Sequence, residues 1–276
     1  MEKIDTFDSR RSFALCGKVD ILVDGRVSCG KHFAGEKNDP RRQFLITFSV
    51  IVPTLNEEKL IGTCIRHLRQ LDPDVEIIVA DGKSEDKTVH VTEKLGAIVA
   101  RSERGRGYQC NAGAARASGD VLLFLHADTK LPPCAFVQLR PFFQDDKVNV
   151  GVFRLALDVK HPVLNFYAMC NRLNSVLTRF GDQGIVIRTS FFHAIGGFPN
   201  WPLYEDVRLL QKARKRTHIY LFPGTVVTSA RRFVENGILR QCCRDVWYML
   251  SYLLGVSPSR LAVKYDRIAK KKKSAS

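Results

Sequence analysis

Apolar residues first fall into a clear rhythm at Phe48, where Phe48-Ser49-Val50-Ile51-Val52-Pro53 forms a short β-branched run closed by proline. Such a run reads as a buried strand. Asn56-Glu57-Glu58 follows and opens a segment with apolar positions at Leu60, Ile61, Ile65 and Leu68, the spacing of one helix face. The unit then repeats. Glu76-Ile77-Ile78-Val79-Ala80 predicts a second buried strand, Asp81-Gly82-Lys83-Ser84 a turn, Asp86 to Leu95 a helix, and Ala97-Ile98-Val99 a third strand. Gly105-Arg106-Gly107 leads into a small-residue helix from Tyr108 to Ala117. Gly119-Asp120 stops it, and Val121-Leu122-Leu123-Phe124-Leu125 predicts a fully buried strand. Strands alternating with helices of this length imply the α/β class, with a mostly parallel central sheet and helices on both faces. Ligands of such sheets bind beyond the carboxyl ends of the strands.

The flanks read differently. Residues 1–46 carry nine basic and seven acidic residues, four glycines and little periodicity, which predicts a loosely ordered extension before a domain over 47–263. Asp20, Asp24, Glu36 and Asp39 argue against an organelle transit peptide. At the other end Lys264, Arg267 and Lys270 to Lys273 against Asp266 make residues 264–276 a basic tail. No apolar run approaches the length of a membrane span, and Asp5, Asp8 and Arg10 interrupt any signal-peptide core, so a soluble, cytoplasmic chain is expected. The apolar stretch Val246 to Val256 is expected to pack on a core, with peripheral membrane contact as its rival.

Composition narrows the partners. The chain has 276 residues, 45% hydrophobic and 26% charged, the balance of a globular protein. Its 43 Lys+Arg against 28 Asp+Glu give a formal charge of +15, which points to nucleic acid, acidic lipid or phosphorylated small molecules. The basic run Lys270 to Lys273 contains no aromatic residue, contrary to a single-stranded nucleic-acid platform, so no specific nucleic-acid partner is expected. Eight cysteines without a C-x-x-C pair favour reduced thiols and no zinc site.

The residues after each strand carry the candidate chemistry. The predicted C-terminal edge collects Pro53-Thr54-Leu55-Asn56-Glu57, then Asp81, then Arg104 to Gly107, then His126-Ala127-Asp128. These groups suit a nucleotide diphosphate and a divalent metal. His126 and Asp128, two apart on an extended chain end, can meet one Mg²⁺ or Mn²⁺ that bridges phosphate oxygens, and Arg104 and Arg106 can bind phosphate. Against this stand a helix cap at Asp128, a packed His126 and solvated arginines. A dinucleotide fingerprint fails at Gly105-x-Gly107, because Cys110 stands where the third glycine belongs, and no P-loop occurs.

Over residues 48 to 262 the chain resembles the family 2 glycosyltransferases of GT-A fold. The resemblance rests on Val50 to Glu57, on Asp81-Gly82-Lys83-Ser84-Glu85-Asp86-Lys87-Thr88, on Gly105 to Ala114, and on Leu123 to Thr129. Phe180 to Gly184, Ile195 to Pro199, Pro202 to Val207, Thr228 to Arg232 and Leu254 to Pro258 are similar to the small subgroup associated with arsenosugar biosynthesis clusters.

The resemblance implies a transferase that moves a sugar from a nucleotide-diphosphate donor, UDP-linked, to an unidentified acceptor hydroxyl by metal-assisted inverting displacement. It implies that Pro53, Thr54, Glu57, Asp81 and Asn111 bind nucleotide and that Asp128 holds the metal. His126-Ala127-Asp128 departs from the family's D-x-D by leaving one carboxylate, and Lys83 stands where the family has a small residue. Glu205-Asp206 matches the family's E-D segment, which implies that one of these carboxylates is the base; geometry decides which, and Asp206 is taken as the base with Glu205 orienting the acceptor. Two acids opening a helix also simply favour its dipole. Gln183 and Gly184 resemble the acceptor-side loop, Trp201 is a stacking candidate, and Arg231 and Arg232 are candidates for the leaving diphosphate. Competing readings are a nucleotidyltransferase on a related fold, a nucleotide-binding chain that no longer transfers sugar, and a basic nucleic-acid module.

Overall fold

The computed structural model describes residues 20–21, 27–28, 46–171, 175 and 181–263. Two two-residue strands, β1 (Asp20–Ile21) and β2 (Val27–Ser28), pair antiparallel. Apart from these and Ile46, the expected extension over 1–46 lies outside the described residues, as does the expected basic tail over 264–276.

The alternating pattern yields β3 (Phe48–Thr54), α1 (Glu58–Leu71), β4 (Glu76–Asp81), α2 (Thr88–Lys94), β5 (Ile98–Arg101), α3 (Arg106–Ala114) and β6 (Val121–Phe124). Helix α2 begins two residues later than its sequence suggests, because Asp86 Oδ1 accepts the Thr88 main-chain N–H and hydroxyl at 2.9 and 2.5 Å. Asp86 thus stays outside the helix, where an acceptor serves the first N–H groups best. Helix α3 stops at Ala114 rather than Ala117. There the ladder tightens to i→i−3 bonds, Arg116 N–H to Gly113 O and Ala117 N–H to Ala114 O, which satisfy the last carbonyls.

Beyond β6 come α4 (Ala135–Gln144), β7 (Val150–Leu157), α5 (Pro162–Cys170), β8 (Ile185–Arg188), α6 (Thr189–Ala194), α7 (Glu205–Arg214), β9 (Ile219–Thr228), α8 (Arg231–Asn236) and α9 (Ile238–Leu253). One sheet contains seven strands in the order β5-β4-β3-β6-β8-β7-β9. Strands β5, β4, β3 and β6 are mutually parallel, β8 runs against both its neighbours, and β9 is parallel to β7.

The strand pattern explains why both faces are covered. Val50, Val52, Ile77, Val79, Val121 and Leu123 join Ile61, Ile65 and Leu68 of α1 and Phe136, Leu139 and Phe143 of α4 in one buried cluster. The intervening Ile51, Ile78, Ala80, Leu122 and Phe124 join Cys110 and Ala114 of α3 and Leu209, Leu210 and Ala213 of α7 in the other. Successive side chains point to opposite faces, so a strand apolar at every position needs a helical layer on each side.

Helix α9 departs from the expectation of simple core packing. Tyr248 and Met249 are buried, whereas Val246, Trp247, Leu250 and Leu253 on the same helix are exposed. Among the described residues, no helix is long and apolar enough to cross a membrane.

Candidate active site

The parallel register sets the cleft. Thr54 pairs with Asp81, and Asp81 with Arg101, so β3, β4 and β5 end together, and His126 to Asp128 leave the sheet just after β6. The loops after β3 and β4 are laced to each other. The Asn56 N–H donates to Ser84 Oγ at 2.9 Å, the Glu85 N–H to Asn56 Oδ1 at 2.8 Å, and the Glu57 N–H to Thr88 Oγ1 at 2.8 Å. Asn56 and Lys83 take left-handed φ angles of 57° and 67° to make these turns.

A cavity of about 570 Å³ opens at this edge. Pro53, Thr54, Glu57, Arg104, Arg106, His126, Asp128, Arg231 and Arg232 all line it, so nine residues singled out in the sequence share one cavity. Asp81 is buried beside Thr54 rather than lining that cavity. Its Oδ2 accepts the Lys83 and Ser84 N–H groups at 3.1 and 3.0 Å, while Asp81 Oδ1 and Thr54 Oγ1 are buried and unsatisfied. Gln109 closes the floor: its Nε2 donates to Thr54 O at 2.6 Å and to Ala80 O at 3.0 Å, tying the ends of β3 and β4 to α3.

A second cavity, of about 330 Å³, adjoins the first and shares Arg106, Tyr167, Asp182, Leu203 and Arg232 with it. Glu205 and Asp206 line the second cavity, together with Tyr248, Met249 and Leu250 of α9. Arg106 therefore stands where the two spaces meet. The glycine after it has a packing reason. A Cβ on Gly107 would lie 2.1 Å from Pro199 O, so α3 approaches the 199–201 loop through a residue without a side chain. Gly107 thus serves close packing, whereas Gly105, at φ 135°, turns the chain at the edge of the first cavity.

Charge at the junction is tightly coupled. Burial and the neighbouring Asp206 push the Glu205 carboxyl up to about 7, against the pull of Arg106. Asp206 is also raised by burial, but two main-chain donors oppose this: the Gly181 N–H at 2.5 Å and the Val207 N–H at 2.7 Å. Burial and Arg106 lower His126, whose Nε2 lies 3.4 Å from Asp182 Oδ1, while the acids Asp182, Asp128 and Asp206 pull the other way. Burial alone would raise Asp182; His126, Arg106 and Arg232 outweigh it and hold the carboxylate ionised. Burial and Asp128 raise Glu57 across the first cavity.

Besides Asp81, four further expected site residues line neither cavity. Asn111 spends its carboxamide on Phe198, donating to its carbonyl at 2.9 Å and accepting its N–H at 3.0 Å, and lines neither cavity. Trp201 also lines neither; its main-chain N–H donates to Pro199 O at 2.7 Å beside Gly107. Gln183 is fully buried and donates to Asn171 O at 3.0 Å. Gly184, at φ 69°, faces Phe153, Leu123 and Leu125 in the core and lines neither cavity, and its freedom serves a turn. In a one-turn 3₁₀ segment over Gly181–Gln183, adjacent residues point different ways, and Asp182 is the one that reaches the cavities.

Among the described residues no group of three or more His, Cys, Asp or Glu side chains is arranged to hold a metal by itself. Asp128 supplies one hard carboxylate oxygen set to the first cavity, and His126 is engaged with Asp182. That donor set fits a Mg²⁺- or Mn²⁺-type ion shared with a diphosphate, since such ions use one or two carboxylates plus phosphate oxygens and water.

Comparison with known proteins agrees with this architecture. The sequence model described as Glycosyl transferase family 2 matches residues 49–195. An undecaprenyl-phosphate 4-deoxy-4-formamido-L-arabinose transferase of Proteus mirabilis is 30% identical over 201 residues, 68% of this chain and 57% of that protein. A 4,4'-diaponeurosporenoate glycosyltransferase of Staphylococcus haemolyticus is 34% identical over 93 residues, 31% of this chain and 25% of that protein. The chain thus spans a quarter to little more than half the length of these relatives. Among solved structures, glucosyl-3-phosphoglycerate synthase of Mycobacterium tuberculosis, crystallised with Mn²⁺, UDP and glucosyl-3-phosphoglycerate, superposes with a TM-score of 0.54 at 22% identity, covering 78% of this chain and 82% of that one.

Proposed function

The chain belongs to the family 2 glycosyltransferases and has their GT-A fold, and from that premise we propose that it transfers a sugar from a UDP-linked donor to an acceptor hydroxyl, with inversion in a single displacement. The observation that carries this reading is the meeting of two cavities at Arg106: Arg104, Arg231, Arg232 and Asp128 line one, and the Glu205–Asp206 pair lines the other. A donor diphosphate suits the first, and an acceptor the second.

In this reading Asp206 is the base. Burial raises both carboxyls of this pair, so it keeps a proton below about pH 7. Asp206 receives two main-chain N–H bonds and so carries the charge, while Glu205, pushed up to about 7, holds the proton. A protonated Glu205 donates a hydrogen bond that orients the acceptor, and ionised Asp206 takes its hydroxyl proton as the new bond forms. The leaving diphosphate gathers negative charge as the glycosidic bond breaks, and Arg104, Arg106, Arg231 and Arg232 around the first cavity stabilise it. Asp128, with His126 beside it, would hold a Mn²⁺ or Mg²⁺, which would supply charge neutralisation at the diphosphate. Losing one such contact costs about 2.7–4 kcal/mol by analogy with oxyanion holes.

The acceptor cavity is partly apolar, through Leu203, Tyr248, Met249 and Leu250. Both sequence relatives described above are named for acceptors that join a polar end to a long hydrocarbon. That combination supports an amphiphilic acceptor. Isothermal titration of UDP and GDP with and without Mn²⁺, on the natural chain and on Asp128→Ala, tests the donor side. Metal-dependent UDP binding that the substitution abolishes supports the reading, and absence of binding to either nucleotide overturns it.

A further inference from the structure

Helix α9 is apolar on two faces. Its inward residues Gln241, Tyr248 and Met249 are buried. Leu239, Val246, Trp247, Leu250, Leu253 and Leu254 are between 47% and 86% exposed. At 100° per residue these six fall within a third of the circumference, so they form one outward stripe along the helix and its C-terminal turn. Helix α5 packs against α9 and itself exposes Phe166 and Met169. Contiguous exposed apolar surface of this kind calls for a covering partner.

We propose that this stripe docks α9 in the plane of an anionic lipid bilayer, and that the acceptor reaches the second cavity from there. Three observations choose this occupant. The stripe and the cavity are continuous, because Val246 and Leu250 are exposed and also line the cavity beside Glu205 and Asp206. The sequence on and after the helix is basic: Arg240 on α9 and Arg260 are exposed, and the sequence beyond residue 263 carries six Lys and Arg against one Asp. Basic residues next to an apolar helix face are drawn to anionic headgroups. A second copy of the chain is disfavoured, because each carries a formal charge of +15. With 16 residues the helix is about 24 Å long, so it lies on a bilayer and does not cross it. Only the identification of the second cavity as the acceptor's rests on the function proposed above; the docking does not.

The test uses the whole chain and phosphatidylcholine vesicles with and without phosphatidylglycerol. Co-sedimentation is expected with the anionic vesicles, with a blue shift of tryptophan emission that Trp247→Phe diminishes. The double variant Trp247→Glu/Leu254→Glu, whose side chains are exposed and line neither cavity, should weaken partition by about tenfold or more. Its melting curve and UDP titration should match the natural chain, and Leu239→Glu/Leu253→Glu provides an independent pair. Equal partition of the natural chain and both variants, no partition at all, or indifference to phosphatidylglycerol overturns the proposal. So does a dimer in sedimentation velocity that the charged variants dissociate, which would assign the stripe to a second copy. UDP titrations run in parallel keep the two proposals apart, because loss of nucleotide binding refutes the transferase reading whatever the vesicles show.

Discussion

Asp206 accepts the main-chain N–H of Gly181 at 2.5 Å, a bond that spans 25 residues and joins the first turn of α7 to the 3₁₀ turn before β8. It fixes the carboxylate beside Asp182 and Arg106. The same closeness explains the glycine: a Cβ at position 181 would sit 3.0 Å from Asp206 Oδ2.

Asp206→Asn should therefore lose about 10²–10⁴ in kcat while UDP affinity is unchanged, because an amide cannot take the acceptor proton. Gly181→Ala should act in the same direction and more weakly, by pushing the carboxylate out of position. Steady-state kinetics with parallel UDP titration check both, and normal turnover of Asp206→Asn sinks the base assignment.

Glu205→Gln mimics the protonated form that the fold favours, so it should keep most of its activity near pH 7. A folded-state value of about 7, above the ordinary 4.5, means that Glu205 contributes stability that is fully present below pH 4.5 and lost as pH rises through about 7. His126 works in the opposite sense: lowered from 6.5, it contributes stability above that value that is lost on acidification. The informative quantity is thus the difference between variant and natural chain. Melting temperatures from pH 4.5 to 8 should show the natural chain losing stability relative to Glu205→Gln as pH rises, and parallel curves would refute the shift.

Gln109→Leu should destabilise the chain by ~1–3 kcal/mol, since the carbonyls of Thr54 and Ala80 lose their shared buried donor. It should also weaken UDP binding, because that donor holds the cavity floor. Denaturant melts and nucleotide titration of the same preparation separate the two effects.

Lys83→Gly should change stability by less than about 1 kcal/mol. It removes a surface ion pair with Glu103 at 2.6 Å, worth little in water, and relieves a left-handed backbone at φ 67°. A lysine where the family has a small residue is tolerated here because its side chain leaves the turn for solvent.

Legibility in the sequence followed the range of the interactions. Strands such as Val121 to Phe124 and helices such as α1 were readable, because their periodicity is local. So was the convergence of Thr54, Glu57, Arg104, Arg106 and Asp128, since parallel strands must end at one edge. Gln109 and Asp182 stood inside motifs whose weight fell on their neighbours; what selects them is the direction of one side chain across a helix or turn. For the same reason the sequence did not show that the Asn111 carboxamide is bonded to the main chain of Phe198 and so ties α3 to the following loop.

By itself, then, the sequence determined the α/β alternation, the two-faced sheet and the edge at which chemistry gathers, all consequences of residue periodicity and of the rule that parallel strands share a direction. Only the tertiary structure decided that β8 runs antiparallel, that Arg106 joins two cavities, that Asp206 is held by Gly181, and that α9 turns an apolar stripe outward. Each of these depends on contacts between segments far apart in the chain, and no local pattern specifies how such segments meet.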